Sequence, residues 1–223
     1  MSTPKSIPAV VLVALLTAAC GSDGQGGGAG PSADIARISE VRSTFGPQFQ
    51  YRDIAPTGID PKLLQPQPVP EGVRFQPPEC AKYARGLLPE SGLKGNMAAA
   101  TAEGEGNRFI AIAVETSEPV ALDDADKACN KVEFSGPQVR GLVEAVEAPA
   151  IEGARTSATH RVVQTVVGGV PRTGELYNYI ASFDSYLVIV TANPLVVPGQ
   201  RVVPVNTQRA RDLLSTAVAD VRG

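Results

Sequence analysis

Gly174-Glu175-Leu176-Tyr177-Asn178-Tyr179-Ile180-Ala181-Ser182-Phe183-Asp184-Ser185-Tyr186-Leu187-Val188-Ile189-Val190-Thr191-Ala192 decides the fold. The runs on either side of Asp184-Ser185 are rich in β-branched and aromatic residues, so they read as two strands joined by a two-residue turn. That turn sets the register. Phe183 faces Tyr186, Ala181 faces Val188 and Tyr179 faces Val190 on one side of the sheet. Ile180 faces Ile189 and Ser182 faces Leu187 on the other. Both sides are too apolar for either to be wet, which places the two strands centrally.

Working outward, Gly168-Gly169 turns a long strand, Arg155–Val167, into the strand Arg172–Phe183. The register of this second hairpin puts His160 opposite Tyr177 and Val162 opposite Glu175. Upstream, Met97–Glu103 and Arg108–Thr116 read as strands around Gly104-Glu105-Gly106-Asn107, and Lys131–Phe134 and Val139–Val146 around Ser135-Gly136-Pro137. Pro194 and Pro198 end the last strand. A helix opens at Asn206 or Thr207 and runs to about Val221, with Ala210, Leu213, Leu214, Ala217, Val218 and Val221 as an apolar stripe. Another is expected from Ala33, capped by Ser32, with Ile35, Ile38, Val41 and Phe45 inward and Gly46-Pro47 as its stop. Short helices are expected over Glu79–Arg85 and Asp123–Asn130.

Residues 52–79 hold Pro56, Pro61, Pro66, Pro68, Pro70, Pro77 and Pro78. Proline removes ladder donors, so pairing there is limited to sheet edges. Ile54, Ile59, Leu63, Leu64, Val69, Val73 and Phe75 argue for an ordered extended arm, with one helical turn near Pro61 to Leu64. Strand runs bracketed by helices, without βαβ alternation, give an α+β class. The expected architecture is an antiparallel sheet with an N-terminal helix and a C-terminal amphipathic helix packed on it.

The chain has 223 residues, 43% of them apolar, with no tryptophan, enough for one packed domain. Its formal charge is −3 and no basic stripe occurs, which disfavours nucleic acid as a partner. At the N-terminus Lys5 precedes an apolar run, Ile7–Leu16, too short to span a bilayer. Leu16-Thr17-Ala18-Ala19-Cys20 resembles the bacterial lipobox, with Thr17 where leucine is commonest. Residues 1–19 are therefore expected to be a signal peptide and Cys20 the lipid-attachment residue. Residues 20–32 would form a Gly-rich tether and 33–223 a single domain held at the extracytoplasmic face of the cell membrane. The competing reading is an ordinary signal peptide followed by a chance cysteine.

Cys80 and Cys129 remain as an even pair in an oxidising compartment, and are expected to form a disulfide rather than two buried thiols. His160 is the only histidine. A serine triad would have to use it, and no Gly-x-Ser-x-Gly elbow exists to hold the nucleophile. A single histidine without a free cysteine pair makes zinc an unsuitable ligand. Asp123-Asp124-Ala125-Asp126 lacks the glycine and glutamate of a calcium loop, and fits an acidic helix start better. No catalytic residue, metal or cofactor is therefore assigned. The candidate binding patch is His160, Tyr177 and Tyr179 on one side of the sheet. Arg161 and Glu175 are placed on the other side as a cross-strand ion pair, and Arg201, Arg209 and Arg211 are read as isolated, solvated charges.

Seven segments together carry a family resemblance. They are Thr44-Phe45-Gly46-Pro47, Pro56-Thr57-Gly58-Ile59-Asp60-Pro61, Pro78-Glu79-Cys80-Ala81-Lys82-Tyr83, Gly106-Asn107-Arg108-Phe109-Ile110, His160-Arg161, Gly174-Glu175-Leu176-Tyr177 and Ala192-Asn193-Pro194-Leu195. From Ala33 onward the chain resembles small mycobacterial envelope lipoproteins whose single domain has no known function. More distantly it resembles the extracellular sensor domain of mycobacterial receptor kinases, which typically has two disulfides where this chain can form one. The resemblance implies no catalytic residues. The expected function is non-enzymatic binding of an envelope protein or other ligand through a groove on the sheet, walled by the proline arm. The alternative is a carrier of a small apolar ligand or lipid, and an enzyme stands third.

Overall fold

The computed structural model describes residues 33–59, 71–86, 94–122 and 127–223. The signal peptide, Cys20, the tether, the turn near Pro61 to Leu64 and Asp123–Asp126 lie outside the described residues.

Nine strands form one open antiparallel sheet. They are β1 (Gln50–Gly58), β2 (Arg74–Gln76), β3 (Gly95–Gly104), β4 (Asn107–Thr116), β5 (Lys131–Gly136), β6 (Val139–Ala145), β7 (Arg155–Val167), β8 (Val170–Phe183) and β9 (Tyr186–Pro194). Their spatial order is β1-β3-β4-β9-β8-β7-β6-β5-β2. The β8–β9 hairpin is central, and both hairpin registers are as read from the turns: Phe183 pairs with Tyr186 and His160 with Tyr177.

Two cores explain why neither side of β8–β9 could be polar. On one face lie a 3-10 helix, Ile35–Thr44, and the C-terminal helix, Thr207–Arg222. Alternate alanines of β3 and β4, Ala98, Ala100, Ala102, Ala111 and Ala113, keep this face low enough for the helices to sit close. The first helix buries Ile35, Ile38 and Val41. A spacing of three residues suits a 3-10 helix, which has three residues per turn, better than an α-helix. Its cap is Asp34 rather than Ser32: Asp34 Oδ1 accepts from the Ala36 N–H at 2.8 Å. The helix at the C-terminus buries the whole expected stripe, and Asn206 Oδ1 caps it by accepting from the Arg209 N–H at 2.9 Å.

The opposite face is closed by α1 (Ala81–Arg85), the 3-10 turn Pro78–Cys80 before it, and a 3-10 turn at Lys127–Cys129. Cys80 and Cys129 form the expected disulfide, with Cα atoms 5.4 Å apart. It ties the segment after β2 to the segment before β5. We name the C-terminal helix α2.

Proline explains the sheet's two edges. β1 and β2 are the outermost strands, at opposite sides of the sheet. Pro56 falls where the β1–β3 register shifts, between Ile54 and Thr57. A residue without an N–H is tolerated there because an edge or bulge leaves one side unpaired.

Candidate functional site

Among the described residues, the α2-bearing face is not covered along its full width. α2 lies over β9, β8 and β4, whereas β7, β6, β5 and β2 extend past it. Register places the side chains of this uncovered face in rows. Lys131, Glu144, His160 and Tyr177 form one row. Glu133, Leu142, Val162 and Glu175 form the next, with Gln76 at its end. Ser135, Arg140, Gln164 and Thr173 form a third, with Arg74 at its end.

The first row is held by His160. Its Nδ1 lies 2.9 Å from Glu144 Oε1 and its Nε2 lies 3.0 Å from Glu175 Oε1. The ring stacks on Tyr177, with centroids 4.2 Å apart and planes 14° from parallel. The side chain of His160 is only 14% exposed, while both glutamates remain about one-third exposed. An imidazolium can donate from both nitrogens and so satisfy both carboxylates, which the neutral ring cannot do. Burial holds the Tyr177 phenol above its ordinary pKa, with Glu175 pushing the same way.

Beyond this cluster the second and third rows line an open groove of about 730 Å³. Leu142 and Val162 give it an apolar floor, and Arg74 and Gln76 of the proline arm contribute to its far wall. Arg140 Nε donates to Gln164 Oε1 at 2.6 Å, and Gln164 Nε2 donates to Thr173 Oγ1 at 3.4 Å. The third row is thus a polar chain across three strands. Of the proline arm, the described residues Arg74, Phe75 and Gln76 line this groove.

Three expectations need correction. Tyr179 does not share the open patch. It is 1% exposed, packed in the core with α2, and burial raises its phenol pKa while Arg211 opposes that shift. Glu175 lies on the same face as His160 and Tyr177, because residues two apart on a strand point the same way. Arg161 does point to the other face, so the expected Arg161–Glu175 pair does not form. Its guanidinium donates to the Ala84 carbonyl, lies 5.9 Å from the Phe134 ring, and has its pKa lowered by burial. Arg209 is not an isolated solvated charge. It donates to the Thr44 carbonyl at 3.2 Å and lies over the Phe45 and Phe49 rings.

Sequence reasoning missed Glu144 altogether. β6 and β7 are joined by a loop rather than a tight turn, so nothing local fixed Glu144 opposite His160. Gln164 and Thr173, by contrast, follow directly from the Gly168-Gly169 register. Among the described residues no group of three or more histidine, cysteine or acidic side chains is placed to hold a metal. Both His160 nitrogens are engaged by carboxylates.

A family model described as "Domain of unknown function (DUF5642)" matches residues 34–222. The chain is 59% identical to an uncharacterized protein of Mycobacterium smegmatis, the Rv0999 ortholog, whose solved structure superposes with a TM-score of 0.82. That match covers 87% of this chain and 100% of the other. The extracellular domain of PknH from Mycobacterium tuberculosis gives a TM-score of 0.36 at 10% identity, over 84% of this chain and 93% of the other. No curated protein matches.

Proposed function

The chain belongs to the DUF5642 family, and from that premise we propose that it is a lipid-anchored envelope protein acting by binding rather than by catalysis. The uncovered face of β5–β8 would be the binding surface. The observation that carries this reading is the groove of about 730 Å³ beside the His160 cluster, with an apolar floor and a polar rim. Such a combination suits recognition of a partner: the floor offers area to bury, and the rim fixes orientation. An envelope protein fits better than a stored lipid, because the space between helices and sheet is filled by side chains such as Leu214, Val190 and Ala217, all fully buried.

Cys20 supplies the anchor on this reading. Metabolic labelling with a palmitate analogue should mark the wild type and not Cys20→Ala, and label retained by the variant would remove the anchor from the proposal. The binding surface is tested by a photo-crosslinking residue placed at Val162, on the groove floor, or at Ile54, on the distant strand β1. Adducts in intact cells should form from position 162, weaken with Arg140→Glu, and be absent from position 54. Equal adducts from both positions would show that the groove is not the site.

A further inference from the structure

Strand β8 is paired on both sides only between Tyr177 and Phe183. Its ladder with β7 continues to the pair Val167 and Val170, but its ladder with β9 stops at Tyr177 and Ala192. β9 stays with β4 as far as Pro194 opposite Asn107, two residues beyond its last pair with β8. The Leu195 N–H donates to the Gly106 carbonyl at 2.8 Å, and Val203 packs against Gly106. Among the described residues, Val170–Leu176 are left as a free edge inside the sheet, roughly 23 Å long at the usual rise per residue.

Turn geometry tells which backbone groups face the notch. Phe183 and Tyr186 flank a two-residue turn and form a hydrogen-bonded pair, and along an antiparallel strand such groups alternate sides. Odd-numbered residues of β8 therefore aim towards β9 and, past Tyr177, into open space. Thr173 and Glu175 each present an N–H and a C=O there, and Pro171 presents a C=O. The proline ring nitrogen points outward, where its missing donor costs no ladder bond. No loop among the described residues hydrogen-bonds to these groups.

Unpaired main-chain donors and acceptors at strand spacing are a template for another strand. We propose that this edge takes an extended segment of a partner protein, added antiparallel to β8 in line with β9. The side chains around it specify the segment. Glu144 and Glu175 carry two negative charges and His160 supplies at most one positive charge, so a lysine or arginine is favoured towards Glu175. On the other face, a Cβ at Gly174 would meet nothing within 4 Å, which leaves room for an apolar side chain between Arg172 and Leu176. The recognised segment alternates basic and apolar residues. This inference deepens the binding reading and rests on it.

The test uses the whole chain in nonionic detergent and an eight-residue capped peptide of alternating valine and lysine. Amide hydrogen exchange at Thr173 and Glu175 should slow at least tenfold with the peptide, and a valine–glutamate peptide should give no such protection. Thr173→Pro removes one outward N–H without touching the β7 ladder, and should weaken binding at least tenfold. N-methylation of the alternate peptide amides that face β8 should do the same, while methylation of the other set should not; this arm does not depend on the variant folding. Protection confined to Arg140–Val162 would keep the groove as a binding surface and overturn the edge assignment. Protection nowhere would overturn both. Protection at Thr173 and Glu175 that grows with protein concentration alone would assign the edge to a second copy of this chain and overturn the partner.

Discussion

His160 and Tyr177 are register partners across β7 and β8, and their rings stack 4.2 Å apart at 14°. The stack sits at the boundary between the part of the sheet roofed by α2 and the part left open. It also bridges three strands, since Glu144 on β6 and Glu175 on β8 hold the two imidazole nitrogens. A double-mutant cycle on His160→Ala and Tyr177→Ala should give a favourable coupling of about 0.5–1.5 kcal/mol. Additive effects in urea unfolding would show that the stack contributes nothing of its own.

The Cys80–Cys129 disulfide closes a loop of 49 residues' separation around the second core. Cross-linking residues so far apart restricts the unfolded chain strongly, so Cys80→Ala with Cys129→Ala should lose about 2–5 kcal/mol. Adding reductant to the wild type should lower the unfolding midpoint towards that of the variant, and should leave the variant unchanged. A thiol count on the denatured, unreduced domain should find neither cysteine free.

All five tyrosines, Tyr51, Tyr83, Tyr177, Tyr179 and Tyr186, have phenols raised by burial above the ordinary value of 10, Tyr51 to about 12. Such a phenol ionises more easily in the unfolded chain than in the folded one. Its contribution to stability is therefore complete below pH 10 and falls as pH rises through the folded value. Stability should decline between pH 10 and about 12, and Tyr51→Phe should make that decline shallower. Absorbance at the phenolate band should show a titration displaced upward in the folded protein.

How far the fold could be read from sequence follows turn length. Asp184-Ser185 and Gly168-Gly169 are two-residue turns, and each transmits its register along the whole strand pair, which is why His160 was placed opposite Tyr177. Proline likewise limits any pairing in the extended arm to sheet edges, where β1 and β2 lie. The groove was only half legible. Its far wall comes from Arg74, which reaches β5 through chain that carries no register, and Glu144 meets His160 across a loop. Tyr179 was misplaced for a different reason: strand period says which face a residue shares, while how far α2 extends over that face is a tertiary fact. The first helix shows the same limit at its cap, where Asp34 won over Ser32.

Gly141 in β6 is a packing requirement that composition alone does not reveal. A Cβ there would overlap the Phe134 ring and lie 2.5 Å from the Val162 carbonyl oxygen. Gly141→Ala should therefore cost about 1–3 kcal/mol through overpacking of the second core. Gly174→Ala, with open space around the same atom, should be neutral or raise stability by about 0.4–1 kcal/mol through the unfolded state. Equal effects in thermal unfolding would refute the distinction between the two glycines.

Tyr177 and Tyr179 are two residues apart on β8 and point to the same face, yet their surroundings differ. Tyr179 lies under α2 at 1% exposure, among Leu214, Val190 and Ala158 in the first core. Tyr177 is half-buried at the margin, with His160 rather than α2 covering its ring. Tyr179→Ala removes a buried ring and leaves a cavity under the helix, so it should cost about 3–5 kcal/mol. Tyr177→Ala loses an area that is partly wet already, and about 1–2 kcal/mol is expected from burial at the usual value per unit area. Tyr179→Phe should recover most of the loss, because ring volume rather than the hydroxyl fills the site. The pair also separates stability from binding. Tyr177→Ala should reduce crosslinking from position 162 in a domain that remains folded, whereas Tyr179→Phe should leave it unchanged. If Tyr179→Phe abolished crosslinking at wild-type stability, the tyrosine hydroxyl would belong to the binding surface and the boundary drawn at α2 would be wrong.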